Sequence, residues 1–305
     1  MRAMKLKNTG LTAPVIGIGC MRMGGISNDE ASRVIRTCLD AGLNFFDHAD
    51  VYGAGRSEEI FRSALDASNI RRGDVILQSK CGIRKGMYDF SKEHIIQAVE
   101  GSLTRLGTEY LDILLLHRPD ALVEPEEVAE AFDALYYSGK VRYFGVSNHN
   151  PLQIALLQKH LSQKLVVNQL QLSITNSGMI RSGINVNMEN NGGVDRDGSV
   201  LDFCRLHDIT IQPWSPLQYG FFEGVFVGSD KFPKLNEVLE RVASRYNITA
   251  TAAAITWLLR HPAAMQPIIG SMNPVRINEI ARAAEVTITR KEWYDIYLAA
   301  GNSLP

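Results

Sequence analysis

Short apolar runs and longer amphipathic stretches take turns along this chain. The runs at 15–19, 44–46, 75–79, 111–116, 141–146, 165–170, 209–212 and 267–269 have the length and apolar content of buried strands. Between them apolar residues recur at i, i+3 and i+4, as Ala31, Val34, Ile35, Cys38 and Leu39 do. That spacing is the stripe of an amphipathic helix. Helices are predicted at 29–41, 57–66, 91–106, 125–138, 151–160, 199–207, 234–246, 249–260, 274–284 and 289–300. Their ends carry the expected signals: Ser91 and Thr249 as caps, Pro125 and Pro151 in first turns, and Gly42, Gly107 and Gly139 after the last residues. Ahead of the series, two apolar pieces around Asn8-Thr9-Gly10 predict a hairpin. The polar stretch 173–199 has no clear period and is expected to be a long loop at the mouth of the fold, with a second such loop at 217–233.

Strands that alternate with helices pair in parallel, because parallel neighbours need long crossovers and helices must cover the sheet. Eight repeats without a break in composition predict an α/β fold, a closed (β/α)8 TIM barrel. It carries an N-terminal β-hairpin and additional C-terminal helices, and residues 1–305 read as one domain. The glycine pairs at Gly17 and Gly19, and at Gly53 and Gly55, lack the third glycine and helix context of a dinucleotide fingerprint. That argues against a Rossmann domain without excluding a dinucleotide.

Composition changes the picture little. The chain has 45% hydrophobic and 21% charged residues and a net charge of −1. Such a balance is ordinary for a globular protein and carries no basic footprint for nucleic acid or an anionic membrane. Four separated cysteines, Cys20, Cys38, Cys81 and Cys204, form no C-x-x-C pair and suit free thiols, so a cytoplasmic location is expected. No apolar stretch reaches the roughly 18 residues of a membrane span.

The chemistry lies where strands end. In a barrel the site sits at the C-terminal ends of the strands. There this sequence places Asp47 with Tyr52, Lys80, His117, Ser147 with Asn148, Gln169, Trp214 with Ser215, and Gly270 with Ser271. A phenol is a poor acid at neutral pH unless a cation steadies the phenolate. Lys80 supplies such a cation, Asp47 a partner for the lysine, and His117 a hydrogen bond on the far side of Tyr52. Alone, Asp47 also reads as a loop acid, Tyr52 as a packed aromatic and His117 as a core histidine; together at strand ends they read as one acid–base unit. No metal-ligand spacing is evident, so a bound cofactor is expected to bring the redox chemistry.

Several stretches resemble the aldo-keto reductases: Asn44 to Asp47 with Tyr52-Gly53 and Ser57-Glu58, Leu106 to Asp120, Gly139 to Asn148, and Trp214 to Leu217. The resemblance spans Val15 to about Ala284. It implies a catalytic tetrad of Asp47, Tyr52, Lys80 and His117 and NADPH-dependent, reversible reduction of an aldehyde or ketone, with NADH as a possible donor. It further implies that Ser147, Asn148 and Gln169 hold the nicotinamide carboxamide and that Trp214 stacks on the ring. Ser215, Pro216, Leu217, Gly270 and Ser271 would meet the phosphates or ribose, with Arg276 on the 2′-phosphate and Glu279 beside it. Met21, His48, Tyr52 and His117 would line the substrate pocket. The chain departs from many relatives in having Gly270 where they carry lysine, Ile280 where they carry asparagine, and His48 where they carry a small residue. The expected partner is a small-molecule carbonyl compound, with the protein monomeric or weakly associated. Two rivals are a non-catalytic nucleotide-binding regulatory subunit of the same fold and a metal-dependent hydrolase built on His48, Asp50, His117 and His149.

Overall fold

Eight parallel strands close on one another in chain order: β1 (Gly17–Gly19), β2 (Phe45–Asp47), β3 (Ile76–Cys81), β4 (Leu111–Leu116), β5 (Val141–Ser147), β6 (Leu165–Gln171), β7 (Thr210–Trp214) and β8 (Ile268–Ile269). This is a computed structural model describing residues 1–305. Closure is made by β8 on β1, with Ile268 opposite Gly17 and Ile269 opposite Ile18. The approach is tight: a Cβ on Gly17 would lie 2.6 Å from Ile268 Cδ1.

Eleven helices surround the strands. They are α1 (Asn28–Asp40), α2 (Arg56–Ser68), α3 (Lys92–Leu106), α4 (Pro125–Tyr137), α5 (Pro151–His160), α6 (Gly178–Ile184), α7 (Val200–Leu206), α8 (Pro233–Tyr246), α9 (Ala250–Leu259), α10 (Pro274–Ala281) and α11 (Arg290–Ala299). Local chemistry starts several of them. Ser27 and Glu30 form a reciprocal capping box on α1, and Ser91 caps α3. No helix is long and apolar enough to cross a membrane.

Three sequence expectations need correction, the first being the loop expected at 217–233, which holds a short antiparallel pair, Gln218–Tyr219 with Gly224–Val225. The stretch 173–199 is not loop throughout: α6 and a short 3-10 turn at Asn191–Gly193 lie inside it. Buried Met179 and Ile180 anchor α6, but with glycines at 178 and 183 the segment is too brief for a helical period to show. The helix predicted at 274–284 ends at Ala281 and continues as a 3-10 turn, Arg282–Glu285.

The strand pleat sorts side chains between two cores. On β3, Ile76 faces inward with Phe45, Ile113 and Val167, whereas Leu77 and Cys81 join the layer beneath the helices. The N-terminal hairpin, Ala3–Lys5 paired with Thr12–Pro14, closes the lower end of the barrel by adding Leu6 and Ala13 to the inner cluster. One end is plugged by apolar groups, which leaves the C-terminal strand ends open for chemistry.

Candidate active site

Two-residue periodicity puts Asp47, Gln78 and Lys80 on the inner face of the barrel. Asp47 and Gln78 are register partners on adjacent strands, and Lys80 stands one pleat above Gln78. The Lys80 ammonium is fully enclosed and donates three hydrogen bonds: to Asp47 Oδ2 at 2.8 Å, to the His48 carbonyl at 2.8 Å and to Tyr52 Oη at 3.1 Å. Every ammonium proton has an acceptor, so the buried charge is satisfied. Tyr52 arrives from the loop after β2, whose turn is made by Gly53 and Ala54 in left-handed backbone. The His117 ring meets it edge-on, with centroids 5.9 Å apart and planes at 83°. His117 Nδ1 is buried with no protein partner.

The electrostatics follow from this enclosure. Burial alone would lower the Lys80 pKa, but the Asp47 charge and the hydrogen bonds outweigh it, and the pKa lies above the ordinary lysine value. Burial raises the Tyr52 pKa, with Lys80 pulling the other way. His117 is pushed down to about 2 by burial and by the Lys80 and Arg118 charges. At neutral pH the lysine is charged, the phenol protonated and the imidazole neutral.

A cavity of about 640 Å³ opens above these groups. Its lining includes Asp47, Tyr52, His117 and Met21, and also Gly270, Ser271 and Arg276. Ser147, Asn148, Gln169, Trp214, Ser215, Pro216 and Leu217 line it as well. Asn148 ties this wall together. It donates to Ser147 Oγ at 2.8 Å and to the His117 carbonyl at 3.3 Å, and accepts from Trp214 Nε1 at 3.0 Å. Phe221 and Phe222 stand over Trp214 with ring centroids 6.1 and 6.0 Å away. A second cavity of about 560 Å³, lined by Arg181 and Arg196, lies beside α6 and has no buried acid–base cluster.

Two predicted residues lie elsewhere. His48 does not line the cavity. It follows inward-facing Asp47, so its ring points outward and packs 4.6 Å from the Phe61 ring of α2 with no exposed surface. Glu279 sits on α10 one turn beyond Arg276 and is not among the lining residues. Lys80 acts from beneath the floor rather than from the wall. No group of three or more His, Cys, Asp or Glu side chains is arranged to hold a metal ion.

A sequence model described as the Aldo/keto reductase family matches residues 15–298. The chain belongs to that family. It is an oxidoreductase, an enzyme of the aldo-keto reductase class. An uncharacterised oxidoreductase, YcsN, of Bacillus subtilis is 38% identical over 92% of this chain and 91% of its own. A 6-dehydroglucose reductase of Agrobacterium fabrum is 35% identical over 92% of both chains. A thermostable aldo-keto reductase crystallised with the inhibitor epalrestat superposes with a TM-score of 0.79 at 24% identity, over 98% of this chain and 100% of that one.

Some parts of this aldo-keto reductase carry no signal in one sequence. Gln78 and Gln212 are polar residues inside apolar strands, and both contact groups of the site. Arg118, which follows His117, and Arg22 line the cavity and form no ion pair. The polar positions inside β3 and β7 were the only available hint of the glutamines.

Proposed function

We propose that this aldo-keto reductase reduces an aldehyde or ketone to the alcohol with NADPH, reversibly, and that Tyr52 delivers the proton. The observation that carries the reading is the saturated Lys80 ammonium, which links Asp47 to the Tyr52 hydroxyl on the cavity floor.

The residues present fit a nicotinamide dinucleotide. The cavity has the flat plate of Trp214 in its lining and reaches Arg276 on the first turn of α10. A Cβ at Gly270 would meet nothing within 4 Å, so the backbone there is open to a ligand. Ser147, Asn148, Gln169 and Trp214 would hold the nicotinamide end. Ser215 to Leu217, Gly270 and Ser271 would hold the phosphates, and Arg276 offers a planar donor to a 2′-phosphate. When bound, the dinucleotide supplies the hydride.

The chain supplies the rest. Tyr52 gives its proton to the carbonyl oxygen as negative charge develops there. The phenolate left behind is steadied by Lys80, which Asp47 keeps charged and in place. His117 is neutral, and since its Nδ1 is buried, Nε2 is the ring nitrogen left to orient the carbonyl. The same groups run the oxidation in reverse, with the phenolate accepting the alcohol proton. The carbonyl substrate is a small molecule; Arg22 and Arg118 in the cavity lining favour one bearing hydroxyl or anionic groups.

The test follows dinucleotide absorbance with a panel of aromatic and aliphatic aldehydes, diketones and 6-dehydroglucose, NADPH beside NADH. Tyr52→Phe is expected to lose about 10² to 10⁴ in turnover while binding dinucleotide normally. Equal turnover in the variant would overturn the role given to the phenol.

A further inference from the structure

Four glutamines, buried to 3% exposure or less, run from the active site down the barrel axis. Gln78 Nε2 donates to Asp47 Oδ1 at 2.6 Å and to Gln212 Oε1 at 2.8 Å. Gln169 Nε2 donates to the same two oxygens, each at 3.1 Å. The four groups close a ring. From it Gln212 Nε2 donates to Gln266 Oε1 at 2.9 Å, and Gln266 Nε2 to the Pro14 carbonyl at 2.7 Å.

Only one set of amide orientations gives each of these hydrogen bonds a donor and an acceptor, and it leaves Gln78 Oε1 buried without a partner. A carboxylate accepts and never donates, so both Gln78 and Gln169 must turn their NH2 groups to Asp47. Their second protons then require the Gln212 carbonyl, which sends the Gln212 NH2 group to Gln266 and the Gln266 NH2 group to Pro14. The lower end agrees, because a backbone carbonyl also only accepts. Barrel interiors are ordinarily filled by branched apolar side chains, and buried amides are costly unless hydrogen-bonded. Of the four glutamines only Gln169 lines the cavity. With its NH2 group committed inward, it has only its carbonyl oxygen to offer a ligand.

We propose that Gln78 and Gln212 are positioning residues of this reductase: they pin the Asp47 carboxylate and lock the Gln169 amide so that it presents an acceptor to the carboxamide N–H of the dinucleotide. This rests on the reading of the site as a nicotinamide site. Gln78 and Gln212 act through Asp47 and Gln169 and touch neither ligand nor cavity.

The experiment measures binding of NADP+ and of its 3-acetylpyridine analogue, in which a methyl group replaces the carboxamide NH2, by quenching of tryptophan fluorescence with no carbonyl present. Wild type is expected to favour NADP+ by about tenfold, the worth of one hydrogen bond. Gln212→Met removes one of the two oxygens that hold the Gln169 NH2 group and leaves it on Asp47 alone. The amide is then held less firmly and the preference should shrink, with kcat lowered as Asp47 loosens. Gln212→Glu is the second variant. Protonated, it keeps one donor and one acceptor and preserves the arrangement; ionised, it sets a second carboxylate beside Asp47 with no proton for Gln266. Its kcat should therefore match wild type at low pH and drop through a single titration absent from wild type, while the preference holds, because either form of the glutamate accepts from the Gln169 NH2 group. Variants that melt earlier but keep the preference and the pH profile would show a purely structural role and overturn the proposal. A wild type that binds neither dinucleotide would instead overturn the site reading beneath it.

Discussion

Neither ring nitrogen of His48 has a hydrogen-bond partner, and burial, with some help from the Lys80 charge, pushes its pKa down to about 3. The unfolded chain takes up this proton near the ordinary value of 6.5. The stability tied to neutral His48 is therefore complete above about pH 6.5 and is lost as the pH falls towards 3. His48→Leu should stabilise the fold by about 1 kcal/mol at pH 8, by relieving unpaired nitrogens, and by more at pH 5. Urea unfolding at both pH values checks this, and an equal gain at the two would sink it. At Lys80 the expectation is opposite in sign. Lys80→Met leaves the Asp47 carboxylate buried without its ion, costing roughly 3–5 kcal/mol, and removes the charge that opposes burial at Tyr52. Wild-type reduction should stay flat through neutral pH and fall only where the raised Tyr52 pKa is passed. The residual activity of Lys80→Met should hold to higher pH still; an alkaline limb moving downward would refute the assigned interaction. Asp47, Tyr52, Lys80 and His117 were legible because each stands at or just beyond a strand end, where an apolar run meets polar chemistry. The outward turn of His48 was not, because a loop start does not say which face its first residue takes.

At the scale of elements, tight contacts between neighbours shape the barrel. A Cβ on Gly145, within β5, would lie 2.7 Å from Leu115 Cδ2 and 2.7 Å from the Val167 carbonyl oxygen. A backbone atom cannot give way as a flexible side chain does, so Gly145→Ala should cost about 1–3 kcal/mol by overpacking. A thermal melt within error of wild type would contradict that. Most helices were legible because caps and periodicity agree, as in α3, where Ser91 caps the first turn, Gly107 follows the last residue, and Ile95, Val99, Leu103 and Leu106 are buried. Segment α6 was not, since only Met179 and Ile180 hold it down. The wall of Phe221 and Phe222 belongs to the same class. A loop aromatic shows its direction only once Trp214 is seen beside it.

For the whole molecule, the barrel separates stability from chemistry by its two ends. Leu6, 1% exposed, belongs to the hairpin plug far from Tyr52 along the barrel axis. Leu6→Ala should destabilise by about 2–5 kcal/mol yet leave kcat and KM at 25 °C unchanged; a selective loss of turnover in folded protein would deny that separation. By itself the sequence determined the alternation of eight strands with helices, the closed parallel fold that alternation demands, and the strand-end polar groups, because periodicity, caps and strand ends are local properties. Only the tertiary structure decided which side chains share the interior: that Lys80 lies under the cavity and not on its wall, that His48 turns away, and that Gln78, Gln169, Gln212 and Gln266 join into one chain. Those pairings link residues up to 252 positions apart. They depend on barrel closure and register, which no local window of the chain contains.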